Sequence, residues 1–158
     1  MAEYSANAVQ TVAPGEAIVF TTTVVPCNRG FIRHREGSGN FLLSGWLPNQ
    51  NRRRCCCNRG NRQAQYLVDF GANISIPTDG TVGEISVAFS LDGSTLPDTT
   101  MTVTPAAVEE AFNVSRATNV GIWNGCCETV TVRNISDQPI LVENANIVLT
   151  RPDLALSY

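Results

Sequence analysis

The feature that most constrains this chain is a two-residue apolar rhythm that recurs along its length and is repeatedly cut short by turn residues. In "EISVAFSLDG", Ile85, Val87, Phe89 and Leu91 alternate with smaller or polar residues, so they share one face of a strand. "AVQTV", "AIVFTTTVV", "FLLSGW", "AQYLVDFGANISI", "NVSRATNVGIW", "CCETVTVRNI" and "ILVENANIVLTRP" read as further strands, bounded by "APGE", "GSGN", "PTDG", "NG" and "SDQP". "GFIRHRE" alternates too, with Phe31, Arg33 and Arg35 opposite Ile32, His34 and Glu36, and reads as a hairpin with "FLLSGW". Asn124-Gly125 is the strongest hairpin signal in the chain and predicts that the strands on either side pair. "TPAAVEEAF" is the one helix candidate. Thr104 suits a cap and Pro105 a first turn, which predicts a short helix near 105–111. About eight to ten strands without interleaved helices predict an all-β antiparallel fold, a β-sandwich or jelly roll.

At 158 residues the chain is long enough for one domain with a real core, and a single domain over residues 1–158 is expected. Apolar residues make up 43% and charged ones 16%, which argues against a disordered chain. No run approaches the length of a membrane-spanning helix, so no membrane insertion is expected. "MAEYSANAVQ" has neither the basic start nor the apolar stretch of a secretory leader. Six cysteines suit an oxidising destination. The two together predict an extracellular, spore-surface or virion setting reached by release on lysis.

Residues 47–63 form a long polar loop containing "NRRRCCCNRGNR". All eleven basic residues are arginine, and eight of them fall between Arg29 and Arg62, against one acid, Glu36. From Gln63 onward three arginines face eleven acids. A basic patch on an acidic body can bind polyanions or join one copy of the chain to the next.

Several chemistries fit poorly. Zinc wants four Cys or His ligands in spaced pairs, and neither C-x-x-C nor H-x-x-x-H occurs. Adjacent cysteines point to opposite faces of a strand, so a site of Cys27, Cys57 and His34 is disfavoured against disulfides or buried thiols, and no metal or cofactor is expected. His34 is the only histidine and sits among arginines, a poor place for a general base. No nucleophile elbow or phosphate loop occurs, so no enzyme is expected. The arginines lack interleaved aromatics to stack on bases, which argues against nucleic acid. Trp46 and Trp123 read as buried sandwich residues. The three N-x-S sequons at Asn73, Asn113 and Asn134 read as chance.

Cross-linking remains. Cys27, Cys55, Cys56, Cys57, Cys126 and Cys127 are the disulfide candidates, and Arg52, Arg53, Arg54, Arg59 and Arg62 the candidates for electrostatic docking. The repeated "CNRG" (27–30 and 57–60) hints at a Cys27–Cys57 pair. Counting strand directions from "GFIRHRE" to "NVSRATNVGIW" places the "NGCC" turn at the end of the sandwich opposite the Arg/Cys loop. A disulfide needs Cα atoms within about 7 Å, so on that count Cys126 and Cys127 would meet the loop cysteines only of another subunit.

"VAPGEAIVFTTT", "GSGNFLLSG", "AQYLVDF", "GEISVAFSLDG", "ETVTVRNIS" and "ILVENANIVLTRP", in that order, resemble the TNF/C1q-like jelly roll over roughly residues 6–152. The form most similar is the one at the tips of collagen-like bacterial spore-surface glycoproteins. "CNRG", "HREGSG", "TPAAVE" and "GCC" also resemble small proteins of Clostridia and their prophages. The resemblance implies a ten-strand sandwich that forms trimers and serves assembly or adhesion. The expected function is a self-assembling structural subunit of an extracellular, spore-surface or virion filament, layer or decoration, whose partner is another copy of the chain. The alternative is a receptor- or glycan-binding tip module.

Overall fold

The computed structural model describes residues 1–47 and 63–152. Among the described residues twelve strands run in chain order: β1 (Ala2–Ala6), β2 (Gln10–Val12), β3 (Thr22–Val25), β4 (Ile32–His34), β5 (Phe41–Ser44), β6 (Gln63–Ser75), β7 (Ile85–Leu91), β8 (Ser94–Thr95), β9 (Met101–Val103), β10 (Phe112–Trp123), β11 (Cys127–Asn134) and β12 (Ile140–Thr150). One sheet has the order β10-β6-β12-β1-β3, with β2 also on β12. The other has the order β4-β5-β11-β7-β8, with β9 also on β7. Every strand pairing is antiparallel. The all-β antiparallel expectation holds, as does the β4–β5 hairpin.

The two-residue rhythm becomes the core. Along β6, Ala64, Tyr66, Val68, Phe70, Ala72 and Ile74 are buried while the residues between them are not. Ile85, Val87 and Phe89 of β7 and Val130 and Val132 of β11 face them from the other sheet. Phe41 lies 5.0 Å from Tyr4 and 5.3 Å from Phe20, and Phe70 meets Phe89 edge-on at 6.2 Å. Burying each such ring contributes roughly 2–3 kcal/mol. His34 belongs to the same layer. Its ring stacks on Phe41 at 4.5 Å, and Nε2 is 3.0 Å from the Ser38 carbonyl, to which it donates.

Three expectations change. First, residues 104–111 form bends and a turn, and the short helix expected near 105–111 is absent. The Glu110 carboxylate accepts the Ala106 and Ala107 amides, and Glu109 sits in the left-handed region at φ 59 with its amide bonded to Ile76 O. Two turns of helix have too few internal bonds to compete with those contacts. The only helical turn with a hydrogen-bonded cap among the described residues is a 3-10 turn at Pro97–Thr99. Second, Asn124-Gly125 does form a tight turn, with Gly125 at φ 83 and the Cys126 amide on Trp123 O. The strands it joins do not pair, because β10 lies in one sheet and β11 in the other. A turn signal fixes a reversal of the chain but does not choose the partner strand.

Third, the count of strand directions fails. "DGSTLPD" reads as a loop and "MTV" carries no strand expectation, yet β8 and β9 both run back along β7. That return reverses the direction of every later strand in the count. β10 therefore ends where β6 begins, with Trp123 opposite Gln63, and β11 begins where β5 ends, with Cys127 opposite Ser44. The "NGCC" turn is at the same end as the two roots of the Arg/Cys segment. The chain start holds a further strand, whose sequence gives no strand signal of its own: β1 pairs with both β12 and β3.

A candidate contact site at the cysteine-bearing end

Local rules bring one set of residues to this end of the sandwich. β5 stops because Gly45 and Trp46 leave the ladder, and the close approach there requires glycine. A Cβ at position 45 would lie 2.0 Å from Trp123 O and 3.0 Å from Cys126 O. The Gly45 amide instead donates to Cys126 O at 2.7 Å. The backbones that carry Trp46, Trp123 and Cys126 are thus fixed side by side.

Arg151 closes the end from the third side. It directly follows β12, is 2% exposed, and donates to Trp46 O at 2.6 Å. Its guanidinium carbon lies 5.2 Å from the Phe31 ring centre and 5.3 Å from that of Tyr66. The Tyr66 hydroxyl donates to Ser44 O at 2.6 Å, with Phe31 O at 3.2 Å. Arginine suits this role because its plane stacks on rings while its edge donates.

On this base sit the exposed groups. Trp46 is 55% exposed and Trp123 is 41% exposed. That overturns their reading as buried sandwich residues: each falls one step beyond the positions that face the core. Cys127 is exposed, whereas Cys126 is half-buried against the core. Cys27 is half-buried as well and follows β3, whose last residue, Val25, pairs with Glu3 near the start of β1. Burial, and then the Cys27 thiol nearby, push the Tyr4 hydroxyl above its ordinary pKa. No disulfide joins these three thiols.

Cys55, Cys56, Cys57, Arg52, Arg53, Arg54, Arg59 and Arg62 lie outside the described residues, as does the rest of segment 48–62. Its roots, Leu47 and Gln63, both belong to this end. The geometric reason for keeping Cys126 and Cys127 away from the loop cysteines of their own chain therefore falls away. Among the described residues no three of His, Cys, Asp and Glu are placed to hold a metal ion.

Glu128, beside Cys127, gives the end a pH dependence. Burial first, and the Asp92 carboxylate second, raise its pKa above the ordinary 4.5. Asp92 is held close because its Oδ1 accepts the Thr129 amide at 2.7 Å. With a raised pKa the folded state keeps the Glu128 proton longer than the unfolded state does. Stability is therefore greatest below 4.5 for this group and falls as pH rises through the raised value. Glu128→Gln removes that fall, and urea titrations at several pH values from 4 to 7 will show a flatter profile than the parent.

No family model and no curated protein matches the chain. Solved structures do. The globular domain of the zebrafish complement 1qA protein aligns with a TM-score of 0.57 at 10% identity, over 93% of this chain and 94% of that one. Eiger TNF from S. frugiperda aligns with a TM-score of 0.59 at 12% identity, over 95% of this chain and 90% of that one. At such identities the likeness speaks for the fold alone, and on it the chain is an antiparallel jelly roll of the kind seen in C1q and TNF domains.

Proposed function

We propose that this jelly roll is a self-associating structural subunit whose cysteine-bearing end supplies covalent locks between copies. The observation that carries the reading is the gathering of exposed Trp46, Trp123 and Cys127 at the end from which the Arg/Cys segment leaves and to which it returns. Exposed tryptophans give an apolar contact, and an exposed thiol beside them gives a bond that persists in an oxidising setting. Among the described residues β10, a twelve-residue strand, is paired on one side only, an edge that suits pairing with a neighbouring chain. An extracellular, spore-surface or virion assembly suits such chemistry. Light scattering with electron microscopy of the purified protein tests the reading. Filaments, sheets or a growing series of oligomers are expected, and a monomer at all concentrations contradicts it.

A second reading has its own observation. Two exposed tryptophans on adjacent backbones also make a platform for a sugar ring or a receptor loop. In that case the protein forms discrete trimers, and the tryptophan fluorescence of those trimers changes on addition of a glycan.

A further inference from the structure

A glycine sits in the middle of a strand where the fold does not ask for one. Gly71 lies inside β6, a thirteen-residue strand paired on both sides. Its φ is not in the left-handed region, and a Cβ added there would meet only Val114 O, at 3.9 Å. An alanine would fit, and glycine weakens a strand interior. The neighbouring β12 carries a bulge at the same level. Glu143 pairs with Asn73 and Asn146 with Gly71, so Asn144 and Ala145 share one place in the ladder. Asn144 takes the left-handed conformation of that bulge, at φ 51, so the bulge does not account for Gly71 either. What the bulge does is shift the alternation of β12. Ala145 and Ile147 are buried, and Asn146 between them turns to the outer face beside Gly71.

The missing side chain opens a depression of about 410 Å³ on this face, lined by Asp69, Gly71, Ser115, Arg116, Ala117 and Asn146. Ser115 and Ala117, both short, are the partners of Gly71 and Asp69 on β10. Asp69 is half-buried, and its carboxylate has no hydrogen bond or ion pair among the described residues. Asn146 is fixed, because its Nδ2 donates to Glu3 Oε1 at 2.8 Å, which leaves Oδ1 as an acceptor. Arg116, on the edge strand, donates from one nitrogen to Asp98 O and has further N–H groups to offer. One carboxylate and one guanidinium thus line one hollow, and among the described residues no ion pair joins them.

We infer that this depression binds a small zwitterion, an amino acid whose ammonium meets Asp69 and Asn146 Oδ1 and whose carboxylate meets Arg116. Opposite charges in one hollow match a ligand that carries both. A lone anion would face Asp69, and a lone cation would face Arg116. The volume is at the scale of a small-molecule site, and the absent Cβ of Gly71 gives the ligand its room. The site lies on a sheet face rather than at the cysteine-bearing end, so it stands whether or not copies of the chain associate.

Titration of the isotope-labelled chain with L-alanine and with γ-aminobutyrate, followed by NMR, tests it. The two probes hold their charges at different spans, and at least one should shift the amides of Asp69, Gly71, Ser115 and Asn146. Ethylamine and acetate, each with one of the two charges, should bind at least about tenfold more weakly. Asp69→Asn and Arg116→Gln should each weaken the zwitterion by a similar factor. Gly71→Ala should raise Tm by about 1–4 °C and yet weaken binding, which a glycine kept for the fold would not do. The site is overturned if neither amino acid shifts these amides, or if ethylamine or acetate binds as tightly. A Gly71→Ala variant that loses stability and keeps the binding overturns it as well.

Discussion

Replacing Arg151 with Ala is expected to cost about 3 kcal/mol of stability, a fall in Tm of roughly 6–12 °C for a domain of this size. Three losses add up. The Trp46 carbonyl loses a donor at 2.6 Å. The Phe31 and Tyr66 rings lose the cation between them, worth about 0.5–2 kcal/mol. The buried stem leaves a void. Arg151→Lys keeps the charge but not the plane, so it should recover about half of the loss. Thermal unfolding followed by circular dichroism measures both. If Arg151→Ala unfolds like the parent, the guanidinium is not what pins the end of β12 to the root of the Arg/Cys segment.

Gly45→Ala is the second large effect. A methyl at this position would sit 2.0 Å from Trp123 O, and a backbone atom cannot swing aside. The end of β5 must move away from the β10–β11 turn, which costs about 3 kcal/mol. It should also shift the fluorescence of Trp46 and Trp123, the two exposed aromatics on those backbones. Gly125→Ala, in the same turn, is the control. Its Cβ meets nothing within 4 Å, and only the positive φ of 83 opposes it, at about 1 kcal/mol. Equal effects from the two would mean that the close approach of β5 to the turn is not what organises this end.

The contrast between those two glycines shows what the sequence could and could not reveal. Gly125 is legible because Asn-Gly is a local turn signal, and the turn is there. Gly45 is not, because its constraint comes from a strand about eighty residues further on. The same division runs through the fold. β6, β7 and β12 were legible from their alternation, which is a property of one strand and its two faces. The sheet to which a strand belongs depends on partners elsewhere in the chain. So the Asn124-Gly125 signal does not reveal that β10 and β11 lie in different sheets, and the return strands β8 and β9, of two and three residues, are too short to show an alternation.

That one missed return moved "NGCC" from one end of the sandwich to the other. At the site, the cysteines were visible as a cluster in sequence, but the company they keep was not. Arg151 follows the last strand in an ordinary "TRP" run, and nothing local marks it as the residue that lies against Phe31, Tyr66 and Trp46. Asp69, Arg116 and Asn146 are scattered in sequence and meet only through the register of β6, β10 and β12.

The central claim is that the end bearing Cys126, Cys127, Trp46 and Trp123 joins copies of this chain and that its thiols lock them. Electrophoresis of the oxidised assembly in denaturant without reductant tests it most directly. The account predicts a ladder of covalent multimers that collapses to one band with reductant and is depleted in a Cys127→Ser variant. A single monomer band without reductant, from protein that assembles in solution, would contradict it.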